Sequence, residues 1–331
     1  MGRPAERWFA ISGSLRHSGH YRAVTFATVL TARLSGARVP FPRYLGPNDF
    51  APVAAWIARR RAEGVSLAVY SSASMAVRIA AAAMELGWDI RGALFFTGGE
   101  ALTAAKRAAV EAAGAGAVPV YWIHEIGPIG MACRRLAGNS VHHFRDSSAV
   151  IACPRPAPLS GVEVNSLAFT TLLPSSPRFL INAEMDDAGD LRESACDCAF
   201  SRASLGATIH DVFSYGKLTG HGMTLVGTDV LRVLEERMPA RLGGRPGDYQ
   251  LVEREGAAQT QIVLRVSPRV GLSSPTRARE CFLEEIRGFV GGAVASRVWD
   301  HAGGVEVHIA EPYVTRSGKV LPLHLLGGSR A

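Results

Sequence analysis

The sequence predicts an α/β fold with a smaller α+β unit behind it, and three observations carry that expectation. From about residue 50, short apolar runs alternate with segments of helical periodicity, the pattern of a parallel sheet wrapped by helices. After Asn139 and Ser140 the texture turns to strands separated by Pro, Gly and Ser turns. Beyond the glycine-rich stretch "SYGKLTGHGM", a compact mixture of helices and strands follows, large enough to be a separate domain. A chain of 331 residues that is 47% hydrophobic and 20% charged can bury two cores, and the boundary falls at the glycine-rich stretch: residues 1–215 form one domain and 216–331 a second.

Taken in order, "DFAPVAAWIARRRAEG" has helical spacing, "VSLAVYSS" reads as a buried strand, "ASMAVRIAAAAMELG" as a helix, "GALFFTGG" as a strand, "LTAAKRAAVEAAG" as a helix and "AVPVYWI" as a strand. The β-rich part holds "AVIAC", "VEVNSLAFTTLL" and "PRFLINAEM". The C-terminal unit reads as helix "TDVLRVLEERM", strands "DYQLVERE" and "QIVLRVSP", helix "SPTRARECFLEEIRGFV" with Ser274 as N-cap ahead of Pro275, and strand "GVEVHIAE".

Composition narrows the function classes. Thirty-six Lys+Arg against 29 Asp+Glu give a formal charge of +7, but the basic residues are scattered. The tightest group, Arg59, Arg60 and Arg61, reads as the solvated face of a helix, so no nucleic acid partner is expected. The N-terminus "MGRPAERWFAISG" has no long apolar core, and "IAAAAMELGW" is too short and interrupted to span a bilayer, so the expected location is cytoplasmic, with no membrane partner. Five cysteines do not suggest a disulfide framework.

The chemistry is concentrated in a few motifs. "LFFTGGEALTAAKRAAVE" is a strand, a Gly-Gly turn and a helix whose first turn offers backbone N–H groups to a phosphate or to a nucleotide's polar edge. "YWIHEIGPIG" is a strand that reaches Tyr121 and then Glu125 at the carboxyl end of a parallel strand, where sheets of this kind bind ligands. "DDAGDLRESACDC", the glycine-rich hinge and "TRSGK" come later. Alone, each has an ordinary reading: a turn, a packed aromatic, a solvated glutamate, a surface lysine near a C-terminus. Five in this order say more than any one.

Together these motifs resemble those of the adenylate-forming acyl-activating enzymes, and the phenylacetate-CoA ligase-like branch in particular. The resemblance runs from about Arg7 to Leu325 and is most specific in "GGEALT", "KLTGHGMTLVGTD", "ARLGGRPGDYQLVE" and "TRSGKVLPLH". It implies that ATP and Mg2+ activate a carboxylic acid to an acyl-adenylate and pyrophosphate. An acceptor thiol such as coenzyme A (CoA) then takes the acyl group after the small C-terminal domain rotates. The family name alone suggests an aromatic acid.

Residue roles follow from the same resemblance. Gly98, Gly99 and Glu100 would lie beside the adenine of ATP or AMP, with Tyr121 stacked on it. Glu125 would hold magnesium near the phosphates; Asp187, or its neighbour Asp186, would take the ribose hydroxyls; Lys217 with Gly216 would mark the hinge. Lys319 would be the lysine of adenylation, inserted by the small domain between the carboxylate and the α-phosphate, with Gly318 freeing its turn. A compact ammonium on a flexible stem suits that task, because charge builds on the transferring oxygens only as the domain closes.

The chain also departs from the family. "ISGSLRHSG" lacks the run of small hydroxyl residues of a phosphate-binding loop, so Ser12, Gly13 and Ser14 read as turn residues and the first part of the large domain is expected to be missing. Trp122 stands where relatives usually place a glycine, and His124 where they place a hydroxyl residue against the α-phosphate. His124 can still donate a hydrogen bond there. An alternative function stays open: a non-catalytic remnant that binds an adenine nucleotide or a partner protein. A homodimer, or a complementing upstream fragment, belongs to the same set of expectations.

Cys133, His142, Cys196 and Cys198 occupy positions where some relatives resemble a zinc site. Three thiolates and an imidazole suit tetrahedral zinc, which here would be structural, a clip between distant loops. Cys-x-Cys is not the usual Cys-x2-Cys knuckle, and His143 is an alternative to His142. Cys153 and Cys281 read as core residues, and His210, His221, His301, His308 and His324 as surface or packing residues.

Overall fold

A computed structural model describes residues 4–11, 18–46, 48–156, 163–193, 196–214, 219–220, 223–224, 227–255, 260–288, 305–315 and 318–326. Strands β1 (Trp8–Ile11) and β2 (Pro42–Leu45) pair in parallel, with α1 (Ser18–Leu34) between them in the chain. Then α2 (Ala51–Ala62), β3 (Ala68–Ser71), α3 (Ala73–Glu85), β4 (Leu94–Thr97), α4 (Ala104–Glu111) and β5 (Gly116–Ile123) alternate as the periodicity predicts. Ser72 and Thr103 start α3 and α4 by accepting the N–H groups of Met75 and Lys106 on their side chains.

β3, β4 and β5 are parallel, but the sheet does not remain so. Residues Gly116–Pro119 of β5 pair in parallel with β4, and Val120–Ile123 pair antiparallel with β6 (Gly127–Met131). Antiparallel structure therefore starts ahead of Asn139, because a tight turn rather than a helix follows β5. β7 (Val141–His143), β8 (Ser148–Pro156), β9 (Glu163–Thr171), β10 (Ala183–Glu193), the short α5 (Ala199–Arg202) and β11 (Ala207–Ser214) complete a nine-stranded sheet of order β3-β4-β5-β6-β7-β11-β10-β9-β8.

"PRFLINAEM" becomes a strand only at Ala183. Side chains capture the preceding backbone: Leu180 N–H donates to Thr171 Oγ1 and Asn182 N–H to Thr170 Oγ1, while Asn182 adopts a positive φ of 46°. Those side-chain bonds stand beside one backbone bond, from Thr171 N–H to the Leu180 carbonyl at 3.0 Å.

The C-terminal unit begins with the antiparallel pair β12 (Thr219–Gly220) and β13 (Met223–Thr224). It continues as α6 (Gly227–Arg232), a π-helical turn (Val233–Arg237), α7 (Met238–Leu242), β14 (Tyr249–Glu255), β15 (Thr260–Val266), α8 (Pro275–Arg287), β16 (Glu306–Ile309) and β17 (Leu323–Leu326). Its sheet has the order β16-β15-β14-β17, with β14 and β15 antiparallel and each outer strand parallel to its neighbour. Ser274 precedes α8 in an extended conformation, but its side chain makes no cap hydrogen bond.

Three main cores result. Ile57, Ala76, Ala80, Ile90 and Phe95 pack α2 and α3 against β4; Ile129, Leu167, Phe169 and Ile209 fill the β-rich part; Leu234, Met238, Tyr249, Phe282 and Ile286 fill the C-terminal unit. Cys281 belongs to the last, whereas Cys153 is only half-buried. On α1, Val24, Phe26, Leu30 and Leu34 face solvent, and Phe26 stacks on Phe41 at 5.0 Å. Among the described residues, no helix is long and apolar enough to cross a membrane.

Candidate adenylate site and cysteine centre

β3, β4 and the parallel part of β5 end together at Ser71, Thr97 and Pro119. The Gly-Gly turn follows directly: Gly98 N–H donates to Ser71 O at 3.1 Å, and Gly99 takes a φ of +77°, which suits glycine. Onto this turn comes Lys319, whose Nζ donates to the Gly99 carbonyl at 2.9 Å. A side chain on Gly99 would collide with that ammonium. The lysine turn is closed on itself, with Thr315 N–H donating to Lys319 O at 2.8 Å and Lys319 N–H to Thr315 Oγ1 at 3.0 Å.

The Glu100 carboxylate turns inward, away from the exposed Gly99. It accepts the Ser74 N–H at 2.8 Å and the Ser74 hydroxyl at 2.6 Å, and pairs with Lys106 Nζ at 3.3 Å. Lys106 also pairs at 2.8 Å with Glu235 in the π-helical turn, and Thr103 Oγ1 donates to Glu235 at 2.5 Å. All three charged side chains are at most 7% exposed. Burial opposes the charge on Glu100, but Lys106 and Ser74 overcome it and hold the carboxyl below its ordinary range. Burial opposes the charge on Lys106 too, and Glu235 with Glu100 outweighs it, raising the ammonium's pKa. Sequence reasoning named Glu100 and missed Lys106 and Glu235.

Tyr121 lies just past the end of the parallel pairing, where β5 bends at an irregularity in its ladder with β6. Its hydroxyl donates to Asp187 Oδ2 at 2.7 Å, and its ring meets Phe169 edge-on at 6.1 Å. Burial, then the Asp187 charge, push the phenol well above its usual range, so the proton stays on tyrosine. Two residues named from separate motifs thus touch. Asp186 beside them is exposed, with a φ of +58°. His124 and Glu125 are exposed on the turn closed by Ile126 N–H to Ile123 O, and Trp122 is exposed next to them. Gly216, Lys217, Ser12, Gly13, Ser14, His221 and His301 lie outside the described residues.

Cys133, His142, Cys196 and Cys198 come together, their ligand atoms all within 4.8 Å of one another. Cys133 follows β6, His142 sits on β7, and Cys196 and Cys198 lie between β10 and α5. Sγ of Cys133 and Cys196 are 3.5 Å apart, and Cys198 Sγ is 3.3 Å from His142 Nε2. His142 Nδ1 lies 2.9 Å from the Leu205 carbonyl; donating there leaves Nε2 with its lone pair towards the sulfurs. Phe200 stacks on the imidazole at 5.2 Å. Burial and the neighbouring thiols push Cys196 up to about 12, whereas Ser201's hydrogen bonds overcome burial and draw Cys198 down to about 7. His143, the alternative ligand, instead approaches Ser148 Oγ at 3.2 Å. Other histidines have partners that the sequence did not reveal: His210 meets Ser140 and Thr208, His308 meets Glu306, and His324 stacks on Tyr313.

The fold resembles that of adenylate-forming acyl-CoA ligases. It is similar to 2-hydroxyisobutyryl-CoA ligase in the postadenylation state in complex with R3-HIB-AMP, with a TM-score of 0.59 at 15% identity, covering 97% of this chain and 65% of that one. It is also similar to a benzoate CoA ligase from Burkholderia xenovorans LB400, with a TM-score of 0.50 at 10% identity, covering 86% of this chain and 55% of that one. The chain spans less than two thirds of either relative. At these identities the likeness is one of fold and selects no branch. No protein-family model and no curated protein matches the sequence.

Proposed function

We propose that the chain carries the adenylate-binding and lysine-bearing parts of an ATP-dependent carboxylate–thiol ligase of the phenylacetate-CoA ligase-like type. The observation that supports this best is the bond from Lys319 to Gly99, 220 positions apart in sequence, which sets an ammonium at the carboxyl ends of three parallel strands. In the first step a substrate carboxylate oxygen attacks the α-phosphorus of ATP, the bond to the β-phosphate oxygen breaks, and pyrophosphate leaves. In the second a thiol attacks the acyl carbon and AMP leaves. Lys319 offsets the charge that gathers on the carboxylate and α-phosphate oxygens in the first step.

The other residues divide the nucleotide among them. Tyr121 offers its ring to the adenine, and its hydroxyl fixes the Asp187 carboxylate to accept ribose hydroxyls. His124 can donate to the α-phosphate. Glu125 is an exposed carboxylate on the same turn and suits magnesium, which takes one or two protein carboxylates beside phosphate oxygens and would neutralise their charge. The cysteine centre fits zinc: three sulfurs and one oriented imidazole nitrogen are a tetrahedral donor set, and Cys133, His142, Cys196 and Cys198 would clip β6, β7 and the β10–α5 connection together.

Pyrophosphate release, assayed with ATP, magnesium and a panel of aromatic and aliphatic acids, tests the proposal. The expected result is acid-dependent release that Lys319→Ala lowers by about a hundredfold or more. AMP binding without release from any acid would favour a second reading, a non-catalytic module that binds nucleotide or a partner chain. The exposed Val24, Phe26, Leu30 and Leu34 of α1 motivate that reading.

A further inference from the structure

The chain leaves the four-stranded sheet as β16 on one edge and returns as β17 on the other, so it must cross the ends of β15 and β14. Lys319 rides on that crossing. Gln250 and Arg265 stand directly opposite each other in the β14–β15 ladder and so present their side chains to one face. Gln250 is fully buried; its Nε2 donates to the carbonyls of Tyr313 at 3.0 Å and Leu321 at 2.8 Å, and its Oε1 accepts the Tyr313 N–H at 2.7 Å. Arg265 donates twice to the Glu311 carbonyl, at 3.1 and 2.7 Å, and its guanidinium lies 3.8 Å over the Tyr313 ring.

We propose that Gln250 is a positioning residue for Lys319. One buried amide ties the chain before the lysine turn, at Tyr313, to the chain after it, at Leu321, and thereby sets how far the ammonium reaches towards Gly99. Only a carboxamide of this length supplies both donors and the acceptor: glutamate loses the donors, asparagine the reach and leucine all three bonds. The inference rests on the catalytic role proposed for Lys319 but makes a claim about geometry that can be read without catalysis.

The chain has three lysines, Lys106, Lys217 and Lys319, so acylation of the folded protein by a water-soluble succinimidyl ester can be followed at each by peptide-level mass spectrometry after digestion. In Gln250→Glu the rate at Lys319 is expected to rise several-fold, while buried Lys106 stays protected. A core variant that lowers stability without touching the crossing, Ile262→Val, is expected to leave the Lys319 rate unchanged. In the pyrophosphate assay, Gln250→Glu is expected to lower kcat and leave AMP affinity intact. Equal Lys319 acylation in wild type and Gln250→Glu overturns the proposal, and so does an equal rise in Ile262→Val. Gln250→Leu gives the same reading if it folds, and Gln250→Glu decides if it does not. A wild-type chain that releases no pyrophosphate removes the proposed function, and Lys319 acylation still decides the role of Gln250.

Discussion

Gly99 controls what can approach the candidate site, because it has no side chain and its φ is positive. Gly99→Ala would strain the turn and push the Lys319 ammonium off the carbonyl it holds. It should raise Lys319 acylation and depress any pyrophosphate release together; an unchanged pair would mean that Lys319 does not dock there. Lys106 is a different case, since its partners Glu100 and Glu235 are buried with it. Lys106→Met leaves two buried carboxylates uncompensated and should cost about 3–5 kcal/mol in urea unfolding at neutral pH.

The same triad predicts a pH dependence with a sign at each end. The carboxyl of Glu100 is held below its ordinary 4.5, so its stabilisation is present above that value and drains away as pH falls through the lower folded pKa. The Lys106 ammonium is held above its ordinary 10.5, so its contribution is present below that value and is lost as pH rises through the higher folded one. Urea midpoints should therefore fall at both extremes, and Lys106→Met should flatten the alkaline limb. An alkaline limb as steep in the variant as in wild type would contradict the assignment. The sequence carried one unused clue here: only three of its 36 basic residues are lysines, so each lysine marks a place that arginine did not take.

Among the elements, those with strong periodicity were legible, and those shaped by side-chain bonds were not. α3 and β4 followed from spacing, whereas the late start of β10 goes with the Thr170 and Thr171 hydroxyls taking the N–H groups of Asn182 and Leu180, which no spacing announces. β11 and β17 are strands that periodicity did not reveal. The cysteine centre was legible as a set of residues but not as geometry, because its members come from β7 and two connections. If zinc clips them, the protein as purified should hold one zinc ion per chain. A chelator should lower Tm by several degrees, and zinc should restore it. Because thiols must lose protons to bind, zinc retention should weaken as pH falls. A metal-free protein with an unchanged Tm would sink the clip.

For the whole molecule, the positions of the two units depend on contacts that no local pattern announces. Lys319 reaches Gly99, Glu235 reaches Lys106 and Thr103, and Arg245 pairs with Glu85 at the end of α3 at 2.8 Å. The motifs gave the candidate residues, but only folding shows that Tyr121 holds Asp187 and that Glu100 turns inward. Calorimetric titration with AMP tests the central claim of an adenylate site most directly. The account predicts one AMP per chain, with affinity weakened about tenfold or more, equivalent to ~1.4 kcal/mol, by Asp187→Ala. No heat on addition of millimolar AMP, or equal affinity in Asp187→Ala, would contradict it.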